Sequence, residues 1–76
     1  MKTYKVFIIY ERTDGKKIMR QSIREYKSLP KTLKGQKIRR KDGIFWAKER
    51  YLIECNPLPP QSEHLIKTIF DKIIEL

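Results

Sequence analysis

The sequence has little of what catalytic and metal sites are built from. Its 76 residues include one cysteine, one histidine and three glycines. One thiol cannot close an intrachain disulfide, and one Cys with one His cannot complete a zinc site. The glycines do not form a phosphate-binding loop. We therefore expect no enzyme activity, no catalytic residues, no cofactor and no metal.

Acidic residues and long apolar runs are also scarce. Nine Asp and Glu face 18 Lys and Arg, which gives a net charge of +9. A positive field of this size attracts nucleic acid or an acidic protein surface. The apolar run at residues 6–10 is too short to cross a membrane, and no signal-peptide cleavage pattern follows it. With a single thiol, this composition predicts a cytoplasmic, intracellular protein without a membrane partner.

The first hairpin is predicted around Asp14-Gly15. Residues 3–12 are rich in β-branched and aromatic side chains, which favours a strand. A two-residue turn at Asp14-Gly15 would place Met19 opposite Tyr10. A three-residue turn would place Arg20 opposite Ile8 instead. The two-residue turn separates apolar from polar side chains better, so it is the preferred register.

Residues 16–28 also fit a helix. Ile18, Met19, Ile23 and Tyr26 follow a helical stripe, and Asp14 is placed to cap it. The alternative fold is therefore βαββα, with this segment helical. The turn signal after a clear strand favours the hairpin.

The second hairpin is predicted over residues 36–54, around Asp42-Gly43. An Asp-Gly pair between alternating runs is a strong hairpin signal, because both central residues of a type I′ turn need positive φ. The alternation predicts one apolar face, made of Ile38, Phe45, Ala47, Tyr51 and Ile53. It also predicts a basic face around one indole, made of Lys37, Arg39, Lys41, Trp46, Lys48 and Arg50.

The end of the chain predicts a helix over residues 62–76. Ser62 is a suitable N-cap, and large apolar residues recur at helical spacing from Leu65 to Ile74. The prolines of residues 57–61 form a stiff connection. We expect a single domain, 1–76, of α+β class. Its sheet of about four antiparallel strands (residues 1–56) would pack on the C-terminal helix.

The basic indole-bearing face predicts a small nucleic-acid-binding protein of low sequence specificity, with DNA preferred over RNA as its partner. Phosphates require Lys and Arg, and a flat ring can contact bases of any sequence. The candidate binding residues are Lys37, Arg39, Lys41, Trp46, Lys48, Arg50, Arg20 and Arg24. The alternative is a small interaction module, an accessory subunit or inhibitor of virus or mobile-element type, that binds an acidic protein surface. A homodimer through a sheet edge is a further possibility.

Overall fold

A computed structural model describes residues 2–29, 31–55 and 71–76. These residues form one antiparallel sheet that curls into a half-barrel. Its strands are β1 (Lys2–Glu11), β2 (Lys17–Tyr26), β3 (Lys37–Arg40), β4 (Gly43–Cys55) and β5 (Lys72–Glu75). The order across the sheet is β3-β4-β1-β2-β5, so β3 and β5 are its edges.

The predicted α+β fold is wrong, because none of the described residues is helical. The segment expected to end the helix forms β5, in which Ile73 pairs with Arg20 and Ile74 with Met19. An isoleucine doublet fits a helical stripe and a strand equally well. The open edge of β2 decides between them, because its backbone groups need hydrogen-bond partners. The predicted connection at 57–61 and the body of the predicted helix, 62–70, lie outside the described residues.

The helical alternative for residues 16–28 is also wrong, since Lys17–Tyr26 is strand β2. Ten consecutive pairs join it to β1, from Lys2–Tyr26 to Glu11–Lys17. Good intrinsic helix formers in this segment are overridden by the ladder that β1 offers.

The turn between β1 and β2 is longer than preferred from the sequence. Arg12 and Lys16 close a three-residue loop through a 2.8 Å backbone hydrogen bond, and Gly15 has φ +94°. Asp14 has no positive φ, so the type I′ turn is not formed. A three-residue loop with glycine in the last position fits a negative φ at Asp14. The result is that Tyr10 pairs with Ile18, not with Met19.

The turn between β3 and β4 lies one residue earlier than predicted. Arg40 pairs with Gly43, so the loop is Lys41-Asp42. Moving a two-residue turn by one position shifts every cross-strand pair by two residues, which leaves each side chain on its predicted face. The opposite faces expected for Phe45 and Trp46 are therefore observed.

Strand β4 contains a β-bulge opposite the C-terminal end of β1. Ile9 pairs with Glu49 while Tyr10 pairs with Ala47, so Lys48 is an extra residue without a counterpart in β1. An extra residue shifts the two-residue alternation, and every later side chain of the strand changes face.

The bulge overturns the predicted core in the second half of β4. Tyr51 and Ile53, expected to be buried, are 53% and 54% exposed. Leu52 instead pairs with Val6, which is 1% exposed. The only local sign of the bulge in the sequence is three successive charged residues, 48–50, where strict alternation fails.

The core is centred on Tyr10, Ile18 and Phe45, one residue from each of β1, β2 and β4. We call the side of the sheet that carries them the core face, and the side that carries Trp46 and Tyr51 the outer face. Three partly buried side chains pack around the core: Ile8, Ile38 and Ala47. Burying a large side chain contributes about 1.5–3 kcal/mol before entropy is counted.

Candidate nucleic-acid interface

The β3–β4 hairpin places Lys37, Arg39 and Trp46 together on the outer face. Lys37 pairs directly with Trp46 across the two strands. Its Nζ lies 5.0 Å from the centroid of the indole ring. Trp46 is nevertheless 39% exposed, which is unusual for a side chain of this size. The hairpin therefore presents an accessible aromatic ring with a cation beside it.

Two further predicted cations belong to the same hairpin. Lys41 lies in the turn and Lys48 is the bulged residue; both are exposed. None of the four cations Lys37, Arg39, Lys41 and Lys48 forms an ion pair with a described acidic residue. Because no described carboxylate forms an ion pair with these four side chains, they can contact phosphate groups without first breaking a described salt bridge.

The other three predicted binding residues lie on the core face. Arg50 pairs with Ile8 because the bulge has changed its side of the sheet. Arg20 also pairs with Ile8, as the longer β1–β2 turn requires, and it contacts Asp71 at 3.8 Å. Arg24 pairs with Tyr4 on the same side. The structure thus brings together five of the eight predicted residues and separates the remaining three from them.

The cations near the β1–β2 turn differ because each has acidic partners. Arg12 donates from Nε and Nη2 to the Asp14 carboxylate at 2.7 and 2.5 Å, and from Nη1 to the Asp42 carbonyl at 2.6 Å. Lys16 Nζ lies 2.9 Å from Asp42 and 3.5 Å from Glu75. We call these five residues the turn network. It joins both turns to β5, so its cations serve the fold.

The turn network changes the pKa of both aspartates. The hydrogen bond from Arg12 lowers the pKa of Asp14 to about 2. The hydrogen bond from Lys16 lowers the pKa of Asp42. Both carboxylates stay ionised at neutral pH, which keeps Arg12 and Lys16 neutralised.

Arg40 covers the core. Its guanidinium carbon lies 5.9 Å from the ring centroid of Phe45, and that of Arg12 lies 5.6 Å from the same centroid. Nη1 of Arg40 is buried and has no hydrogen-bond partner in the part of the chain that the structure describes. The third basic residue of β3 is thus directed away from the outer-face cluster.

The sequence prediction missed Tyr51 as a candidate contact residue. Its hydroxyl donates a 2.8 Å hydrogen bond to Glu49 on the same strand. This hydrogen bond raises the pKa of the phenol, so the side chain is neutral at physiological pH. Half of the residue remains exposed on the outer face. The bulge is the feature that brings it there.

The described residues hold no cluster of metal-binding side chains and one free thiol. Nowhere in the described ranges do three His, Cys, Asp or Glu side chains converge in a way that would hold a metal ion. Cys55 is a free, partly buried thiol, 3.5 Å from the carbonyl of Thr3. Within the same ranges no helix is long and apolar enough to span a membrane.

Comparison of the chain with protein-family models, with curated proteins and with solved structures finds no match.

Proposed function

We propose that this chain is a small nucleic-acid-binding protein that contacts the phosphate backbone with its β3–β4 hairpin. One observation carries the proposal: a single edge hairpin carries four cations without a described acidic partner, and one of them, Lys37, lies 5.0 Å from the ring of the partly exposed Trp46. Other basic residues near the turns differ, since Arg12 is neutralised by Asp14 and Arg20 lies on the core face. Exposed lysines without a described acidic partner also lie elsewhere, Lys17 and Lys31 among them, but the hairpin carries four such cations together with an exposed indole.

Low sequence specificity follows from the side chains available. Neither β3 nor β4 contains Asn or Gln, the residues that read adenine through paired hydrogen bonds. Lysine contacts phosphates as a point charge and carries no sequence information. We propose a cytoplasmic setting for this activity, which agrees with the free thiol of Cys55.

The test compares two double variants of equal charge. Lys37→Ala/Arg39→Ala removes two cations from the proposed interface, and Arg20→Ala/Arg24→Ala removes two from the core face. Nucleic acid is titrated at several salt concentrations while Trp46 emission and electrophoretic mobility are followed. The first variant should reduce the slope of log K against log salt by about 2 for duplex DNA, because each phosphate contact contributes about 0.9.

The control double variant should leave that slope nearly unchanged. If both double variants weaken binding equally, net charge attracts the nucleic acid and no interface exists on the hairpin. If no duplex or single-stranded nucleic acid changes either signal at low salt, the proposed function is wrong.

A second candidate, an interaction module for an acidic protein surface, is favoured by two other residues. Tyr51 and Ile53 are large, apolar and more than half exposed on neighbouring positions of the outer face. Such residues often anchor protein interfaces. Poly-L-glutamate serves as the probe. Binding as tight as that of DNA at equal salt, and weakened by Ile53→Ala, would favour the protein partner over nucleic acid.

A further inference from the structure

A shallow cleft of about 530 Å³ lies beside the middle of β4, next to the hairpin interface. One wall is the segment 31–33, which leads towards β3, and the other is the stretch of β4 that follows the bulge. Its lining residues are 31–33 and 48–51. The cleft thus combines three cations, Lys31, Lys48 and Arg50, with the ring of Tyr51 and one carboxylate, Glu49, which accepts the hydrogen bond of the Tyr51 hydroxyl.

Tyr51 is a more accessible stacking surface than Trp46. The indole is 39% exposed and carries Lys37 beside it, whereas Tyr51 is 53% exposed, with Phe7 as its cross-strand neighbour. The hydrogen bond to Glu49 fixes the phenol along the strand. A ring that is already held in place loses little conformational entropy when a ligand stacks on it.

The surrounding charges define what kind of ligand fits. Lys31 and Lys48 line the cleft and are exposed, and neither forms an ion pair with a described acidic residue. A flat apolar ring next to two ammonium groups matches an unpaired base joined to its phosphates. A duplex does not present such a ligand, because its base faces are stacked on each other.

We propose that this cleft binds one unpaired base of single-stranded nucleic acid, stacked on Tyr51, with the flanking phosphates near Lys31 and Lys48. The inference rests on the proposed function and specifies its substrate class. The hairpin cations supply charge attraction to any nucleic acid, and Tyr51 adds a contact that only single strands can make.

The experiment uses three variants of the full chain and two ligands. Tyr51→Ala removes the ring, and Tyr51→Phe removes only the hydroxyl. Ile53→Ala is the matched control, because Ile53 is equally exposed on the same strand and face but has no ring. The ligands are a labelled thymidine oligonucleotide of about 12 nucleotides and a duplex of the same length, a size within the usual site range. Fluorescence anisotropy gives the dissociation constants, and circular dichroism verifies folding.

Tyr51→Ala should weaken single-strand binding by roughly 5- to 150-fold, the range expected for one base–aromatic stack. Duplex binding should stay within about twofold, since phosphate contacts to the hairpin are unaffected. Ile53→Ala should leave single-strand binding nearly unchanged. Tyr51→Phe should weaken it much less than Tyr51→Ala does, because the ring is kept and only the hydrogen bond that orders it is lost.

Two results would overturn the inference. One is a Tyr51→Ala variant that binds single strands as wild type does. The other is an Ile53→Ala variant that loses as much affinity as Tyr51→Ala, which indicates a general apolar contact. In either case duplex binding that depends on Lys37 and Arg39 would leave the proposed function standing. If the wild-type chain binds neither the single strand nor the duplex, both the proposed function and this inference are wrong.

Discussion

The two hairpins of this sheet use their basic residues in opposite ways. At the β1–β2 turn, Arg12 and Lys16 are held by Asp14, Asp42 and Glu75, and their charge contributes to the fold. On the β3–β4 hairpin, Lys37, Arg39, Lys41 and Lys48 have no described acidic partner, and Lys37 lies beside an exposed ring. The difference shows that the number of basic residues indicates little about function, whereas the absence of carboxylate partners indicates where charge is available.

The largest difference in stability is expected within the second hairpin, where the neighbouring β4 residues Phe45 and Trp46 lie on opposite faces of the sheet. Phe45 is fully buried, and Phe45→Ala should cost about 3–5 kcal/mol, because it removes a core ring and leaves a cavity. A 76-residue domain has roughly 4–11 kcal/mol in total, so this variant should be partly unfolded. Urea denaturation followed by far-UV circular dichroism measures the loss.

Trp46→Ala is the control for that prediction. The indole is 39% exposed, so its removal should lower stability by much less than removal of Phe45. Equal losses for the two variants would place Trp46 in the core and contradict the division of faces in this hairpin.

The two turns should differ in how much stability is lost when their glycine, Gly15 or Gly43, is replaced by alanine. Gly43 has φ +130°, and an added Cβ would lie 3.1 Å from Cδ of Arg12. Gly15 has φ +94° and open space around it. Gly15→Ala should cost about 1–2 kcal/mol for its backbone conformation. Gly43→Ala should cost more, because the side chain of Arg12 must also move. Thermal denaturation that ranks them in the reverse order would argue against close packing of the turns.

Acid is expected to lower the stability of the fold by a smaller amount. The folded pKa of Asp14 is about 2, below its usual value of 3.8. A depressed carboxylate pKa stabilises the fold above the unfolded pKa, and this contribution is lost as pH falls through the folded value. The wild-type melting temperature should therefore drop between about pH 4 and pH 2. Asp14→Asn should melt lower at pH 7, and the difference from wild type should shrink over this range. A constant difference would show that the carboxylate charge does not matter.

The smallest effect on stability is expected from replacing one cation in each hairpin, Lys16 or Arg39, by alanine. Lys16→Ala removes two ion pairs of the turn network and should lower the melting temperature slightly at low salt. Arg39→Ala removes a cation without a described acidic partner and should leave the melting temperature unchanged. Differential scanning fluorimetry at low and high salt is suitable, because salt screens only the first effect. A larger loss for Arg39→Ala would mean that this cation stabilises the fold.

The sequence predicts side-chain faces only as far as the alternation is unbroken. Lys37, Arg39 and Trp46 share a face as expected, although the turn lies one residue earlier, because such a displacement preserves the faces. Arg50 and Tyr51 exchange faces, because the bulge at Lys48 is specified by long-range pairing with β1. Local periodicity does not contain that information.

The sequence does not predict the fold class correctly, for a related reason. Ile73 and Ile74 are compatible with a helix in any short window. Their strand conformation depends on pairing with the edge of β2, whose partner residues lie 53 and 55 positions earlier in the sequence. The strands β1 and β4, by contrast, are evident from β-branched and aromatic residues in continuous or alternating runs.

The extra residue in β4 also determines which changes in chain length this protein can tolerate. Most single substitutions on the outer face alter one side chain, but deletion of Lys48 would restore strict alternation and exchange the environments of all residues from Glu49 to Cys55. Tyr51 would then turn toward the core and Leu52 toward solvent. Deletion of Lys48 should therefore disturb the fold far more than its substitution, because the deletion moves seven side chains to the opposite face of the sheet at once.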